Sequence, residues 1–147
     1  MKKNIRFKKW RPPVIKHGKL TKWNWMVQNP ENFELGKETD IGAFTYINAL
    51  NGVYIGDRVE IGSHCSIYSI STIDHKKGAV VLEKNCKIGS HSTIMPGISV
   101  GENSIVGAHS FVNHDIPPNV IAVGCPARIL RKRKKAETFN TKRSKNG

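Results

Sequence analysis

An aliphatic residue recurs every six positions through most of this chain, and no other feature of the sequence constrains its fold as tightly. The series runs Leu35, Ile41, Ile47; then Ile55, Ile61, Ile67, Ile73; then Leu82, Ile88, Ile94, Val100, Val106, Val112. Glycine often follows it, and the residue four places after it is usually small: Thr39, Thr45, Val59, Cys65, Ser71, Cys86, Ser92, Ser104, Ser110. A period of six fits neither an α-helix nor one long strand, whose periods are about 3.6 and 2. It fits a short strand plus a tight corner, repeated three times per coil of a triangular prism. The aliphatic residue then points inward, the glycine relaxes the backbone near the corner, and the small residue fills the narrowest interior. Stacked coils pair their strands about 4.8 Å apart, each covering the apolar face of the next. The fold class this predicts is all-β, a parallel β-helix of hexapeptide repeats.

The register breaks near Asn51-Gly52-Val53-Tyr54 and again over Asp74–Val81, where three residues are added between Ile73 and Leu82. The second break is polar and charged and carries His75, which makes it the candidate active-site edge. Residues 1–34 hold Trp10, Trp23 and Trp25 among basic residues and prolines, and read as an extended cap over the end of the prism. Residues 35–126 are the β-helix domain. Beyond Pro126 the pattern changes: Ala127 to Lys135 reads as a short basic helix, and the remainder of 127–147 as a disordered tail.

The formal net charge of +13 suggests a nucleic-acid partner until it is divided along the chain. Residues 1–34 carry +7, residues 35–126 carry −2, and residues 127–147 carry +8. Basic ends on a slightly acidic body point to solvated tails or an anionic ligand, and no nucleic-acid partner is expected. No apolar run is long enough to span a bilayer, so no stable membrane insertion is expected and the expected location is the cytoplasm. Cys65, Cys86 and Cys125 lack zinc-site or disulfide spacing and read as reduced core residues, with no metal expected.

The segment IMPGISVGENSIVGAHSFVNHDIPPNVIAVGCPARIL, with its Asp-Ile-Pro-Pro turn and its Gly-x-Pro-Ala-Arg ending, resembles the hexapeptide-repeat acyltransferases. The resemblance covers about residues 35–130. It implies a left-handed coil, which the spacing alone does not settle. It also implies a homotrimer with active sites between subunits and acetyl-CoA stretched along the prism. Corner amides near Gly107, Ala108 and Gly124 would hold the pantetheine arm next to Pro126, while Arg128 and Lys132 would reach the phosphates. The subgroup most resembled N-acetylates a nucleotide-linked amino sugar in surface-polysaccharide biosynthesis.

Acyl transfer needs a base for the departing proton, and histidine suits that task. In the related sugar-nucleotide enzymes the base follows an inward aliphatic residue by two places, which Ile73-Asp74-His75 matches, with Asp74 available to orient the ring. His64 ranks second, in an Ile-Gly-Ser-His step that His91 repeats and His109 echoes. The chain departs from the His-Pro-x-x-Pro loop of the maltose and galactoside O-acetyltransferases, although an O-acetyltransferase acting on a sugar or glycan hydroxyl is the alternative. Two other readings compete. A γ-type carbonic anhydrase would bind zinc through His109, His114 and His75, but the hexad phase of the pair is one place off. A β-helix scaffold without catalysis would bind no coenzyme A.

Overall fold

The computed structural model describes residues 5–134. Short strands pair in parallel on three faces. The first face stacks Met26–Gln28, Tyr46–Asn48, Ser66–Tyr68, Thr93–Ile94 and Phe111–Val112. The second stacks Phe33–Leu35, Val53–Ile55, Val80–Leu82 and Ser99–Val100, and the third Asp40–Ile41, Glu60–Ile61, Lys87–Ile88, Ile105–Val106 and Val120–Gly124. Register pairs each inward residue with its counterpart one coil on, as in Ile41 to Ile61 to Ile88 to Val106. The inward residues from Ile41 to Val112 are buried, with the exception of Ile73. This is the β-helix that the period of six predicts.

The corners explain the rest of the hexad, with one correction. Positive φ does not fall on the repeat glycines. It falls three places after the inward residue, at Glu38, Phe44, Arg58, His64, Asn85, His91, Asn103 and His109, with φ between 55° and 62°. Asn and His tolerate this left-handed region better than most residues. The glycine is needed for a different reason: a Cβ on Gly89 would lie 2.4 Å from Ala108 N, and one on Gly62 would lie 2.5 Å from Ser90 N. Each corner therefore rests directly on the backbone of the next.

The small residue four places on also has a bonding task. Thr45 Oγ1 donates to Gly62 O at 2.9 Å, Ser92 Oγ to Gly107 O at 3.1 Å, and Ser104 Oγ to Pro117 O at 2.5 Å. The hydroxyl satisfies a corner carbonyl of the neighbouring coil that the sheet ladder leaves over. No buried side-chain nitrogen or oxygen among the described residues lacks a partner.

Four expectations need correcting. Ile73 is not an inward residue: it is 94% exposed. The chain leaves the prism after Ser69, and Ile70–Ser71 pairs antiparallel with Lys76–Lys77 in a projecting hairpin. Ser71 is therefore on that hairpin, outside the core. The basic segment after Pro126 is not helical either. Ala127–Lys132 is a strand, antiparallel to Val120–Gly124, because the last coil leaves an edge of unpaired backbone that this segment covers. Residues 135–147, where the tail was expected, lie outside the described residues. Pairing also begins before residue 35, at Met26.

The cysteines divide in the same way. Cys65 and Cys86 are buried core residues, but Cys125 is exposed. Burial pushes the Cys86 thiol up to about 12 and raises Cys65 as well. A thiol reagent added to the folded protein near neutral pH is expected to modify Cys125 promptly and the other two only as the coil opens. Mass mapping of labelled peptides over time checks this.

Candidate functional site

The two groups of candidate residues sit on different corners of the prism. His75 and Asp74 are on the hairpin that leaves the corner between the first and second faces. Both are exposed, and His75 has φ 56°. Asp74 accepts hydrogen bonds from Ser71 and from the Lys76 backbone, which hold its carboxyl below the usual range. Its ion pair with Lys76 at 3.5 Å acts in the same direction. Asp74 is thus a negative charge one residue before His75.

Gly107, Ala108 and Gly124 meet at the last corner between the third and first faces. Ser110 Oγ donates to Gly107 O at 2.7 Å and accepts the Gly124 N–H at 3.1 Å, so one hydroxyl ties two of them. The Gly107 N–H donates to Ala122 O at 2.9 Å. Two of the three expected amide donors are therefore already engaged. Ala108 differs: it is exposed, and neither its N–H nor its C=O bonds to a described residue. Of these three, it is the one whose backbone N–H bonds to no described residue.

Ala108 closes one end of a shallow groove along the third face, floored by Gly62, Gly89 and Gly107. The floor is smooth because those positions have no room for a Cβ. Outward side chains at successive coils rim it: Asp40, Glu60, Lys87 and Ile105. Arg6 pairs with Asp40 and, at 2.7 Å, with Glu60, while Lys87 pairs with Glu60 from the other side. This ladder fastens the N-terminal segment to the face. Sequence reading missed it, although Asp40, Glu60 and Lys87 each stand one place before an inward residue, the outward phase of a strand.

The closing strand brings the expected cations to the same end of this face. Arg128 lies opposite Val123, whose side chain packs over Gly107, and Lys132 lies opposite Val120. Both are exposed, and the Arg128 guanidinium is held by Ala127 O at 2.8 Å. Pro126 follows a cis peptide bond in the turn between the two strands.

His64, His91 and His109 have a structural account. All three occupy the left-handed corner position, and their rings stack in an exposed column. His64 and His91 are 4.8 Å apart at 4°, His91 and His109 are 4.9 Å apart at 7°, and Phe44 extends the column. Among the described residues no three His, Cys, Asp or Glu side chains are grouped to hold a metal ion.

The N-terminal segment packs on the first coil through two of its tryptophans. Trp25 is buried at 3% exposure and meets Phe33 edge-on, and Trp10 Nε1 donates to Thr39 O at 2.9 Å. Trp23 stays 50% exposed. Among the described residues no helix is long and apolar enough to cross a membrane.

Comparison with known proteins agrees with this geometry. Residues 79–114 match the bacterial transferase hexapeptide (six repeats) family. Over 124 residues the chain is 36% identical to a galactoside O-acetyltransferase of Escherichia coli K12, covering 74% of this chain and 61% of that one. The chain thus spans about three-fifths of that relative's length. A Vibrio cholerae hexapeptide-repeat acetyltransferase solved with acetyl coenzyme A superposes with a TM-score of 0.70 at 29% identity, covering 75% of this chain and 65% of that one. AntD, an N-acyltransferase from Bacillus cereus solved with dTDP and 3-hydroxybutyryl-CoA, superposes with a TM-score of 0.66 at 25% identity, covering 78% and 79%.

Proposed function

Since the repeat region of this chain belongs to the bacterial transferase hexapeptide family, we propose that the protein transfers an acetyl group from acetyl-CoA to a sugar. The observation that carries this reading is the smooth groove on the third face. It is floored by glycines, ends at the unpaired amide of Ala108, and has Arg128 and Lys132 at the same end. A long, thin molecule with a phosphate-bearing end fits such a groove. Acetyl-CoA supplies an activated thioester.

The chain's own residues divide the remaining work. The Ala108 N–H and C=O can bond an extended amide chain lying in the groove, and Arg128 and Lys132 neutralise phosphate. His75 takes the proton from the acceptor as the new acyl bond forms, while Asp74 stabilises the resulting imidazolium. The hairpin and the groove stand on different corners, so one chain cannot join them. We therefore read the working unit as a homotrimer, in which the hairpin of one subunit reaches the groove of its neighbour.

A sugar hydroxyl is the leading acceptor, because the E. coli relative at 36% identity is an O-acetyltransferase. The amine of a nucleotide-linked sugar is the second reading, supported by the likeness to AntD across more than three-quarters of both chains. Mild alkali separates the two: an acetyl ester is released and an acetamide survives. The test is acetyl transfer from labelled acetyl-CoA to neutral galactosides and to dTDP- and UDP-linked amino sugars. Failure with every sugar would overturn the reading. Within an active enzyme, Arg128→Ala and Lys132→Ala are each expected to raise KM for acetyl-CoA about tenfold with kcat nearly unchanged.

A further inference from the structure

We propose that the cavity between the N-terminal segment and the first coil binds the acceptor, and that it selects an anionic sugar. The inference rests on the sugar-acetyltransferase reading and names the acceptor's class. The cavity measures about 430 Å³, a size suited to a small ligand. Trp10, Trp23 and Trp25 line it, together with Lys9, Arg11 and Lys22.

A cap alone accounts for part of this wall. Trp25 is buried and Trp10 is fixed through Thr39 O, so both complete the packing at the end of the prism. Trp23 does not: half its surface is exposed, with the Lys22 ammonium 5.7 Å from its ring centroid. An exposed indole offers a flat apolar face with a polar rim, the surface that the C–H face of a sugar ring covers. The charge is equally unexplained. Arg6, on the same wall, is paired with Asp40 and Glu60, but no carboxylate among the described residues pairs with Lys9, Arg11 or Lys22. Three cations left unneutralised around an aromatic cavity call for a negative ligand.

Position adds a third argument. The cavity and the groove of the third face share Arg6 and Asp40, so they adjoin at the first coil. From Asp40 to Ile105 the groove rises three coils, about 14 Å at the usual strand spacing. A donor anchored by its phosphates near Arg128 points its other end toward this cavity. The anion on the sugar could be the diphosphate of a nucleotide sugar or the carboxylate of a uronic acid.

Isothermal titration calorimetry on the full chain, without coenzyme A, tests the site. The probes are UDP-glucose, a glucuronate-containing disaccharide, and neutral lactose. At least one anionic probe should bind saturably and at least tenfold more tightly than lactose. Trp23→Ala and the pair Lys9→Ala with Lys22→Ala should each weaken it at least tenfold, Trp23→Phe should retain most of the affinity, and acetyl-CoA affinity should be unchanged in all. Which anionic probe binds identifies the source of the charge. Lactose binding as tightly as both anionic probes, no saturable binding of either, or binding indifferent to Trp23→Ala, would overturn the proposal. Acetyl-CoA titrated in parallel keeps the two readings apart. Coenzyme binding without anionic-sugar binding sinks only the cavity, and the converse sinks only the transferase.

Discussion

His75→Ala is expected to lower kcat about 10²–10⁴-fold, the usual worth of a positioned general base. The KM for acetyl-CoA should change little, since Ala108, Arg128 and Lys132, not the imidazole, are the groups proposed to hold the coenzyme. Two features of the hairpin support the assignment. The imidazole projects on an excursion that serves no core packing, and the neighbouring Asp74 carboxyl is held ionised by hydrogen bonds from Ser71 and the Lys76 backbone. Asp74→Asn should therefore fall between wild type and His75→Ala. His64→Ala is the control: its ring is stacked between Phe44 and His91, and its loss should leave kcat within about threefold. Steady-state kinetics on the three variants decides the matter. Full activity in His75→Ala with loss in His64→Ala would move the chemistry to the histidine column.

The second large effect falls on stability. Gly89→Val should destabilise the protein by about 3 kcal/mol or more, at the upper end of overpacking costs. A Cβ at residue 89 would lie 2.4 Å from Ala108 N and 2.7 Å from Ala108 Cα, so backbone must move and no rotamer relieves the contact. Separating those coils also lengthens the ladder between Lys87–Ile88 and Ile105–Val106. A thermal melt should show Tm lower by roughly 6–12 °C. Because the Ala108 amide is displaced, acetyl-CoA affinity should fall as well. A Gly97→Ala variant gives the comparison: its φ is 78°, but no atom lies within 4 Å of the added Cβ. It should cost less, since only the backbone conformation is strained.

The repeat was legible because inward residues in a prism this narrow must be aliphatic at a fixed period, and burial from Ile41 to Val112 follows that period. Ile73 shows where the rule fails. It keeps the spacing after Ile67 but is carried out on the hairpin, since spacing records residue type and not whether the chain has left the prism. The phase argument for His75 loses its inward neighbour with it, and the case for that histidine now stands on the hairpin. Ala127–Lys132 fails for another reason. Its composition suits a helix, but an open sheet edge at Val120–Gly124 offers backbone partners that local propensity cannot anticipate. The role of the repeat glycines lies in the close approach between coils, which is invisible within one hexad. Of the expected donor contacts, Gly107, Ala108, Gly124, Arg128 and Lys132 do gather at one end of the third face, but only Ala108 among the three corner residues keeps a free amide.

The most direct test of the central claim is thiol release from acetyl-CoA by the wild-type chain, followed with and without sugar acceptors. Saturable release that depends on a sugar, with one acetylated product formed per thiol, is the predicted result. Release no faster with any sugar than in buffer alone, from a folded protein, would contradict it.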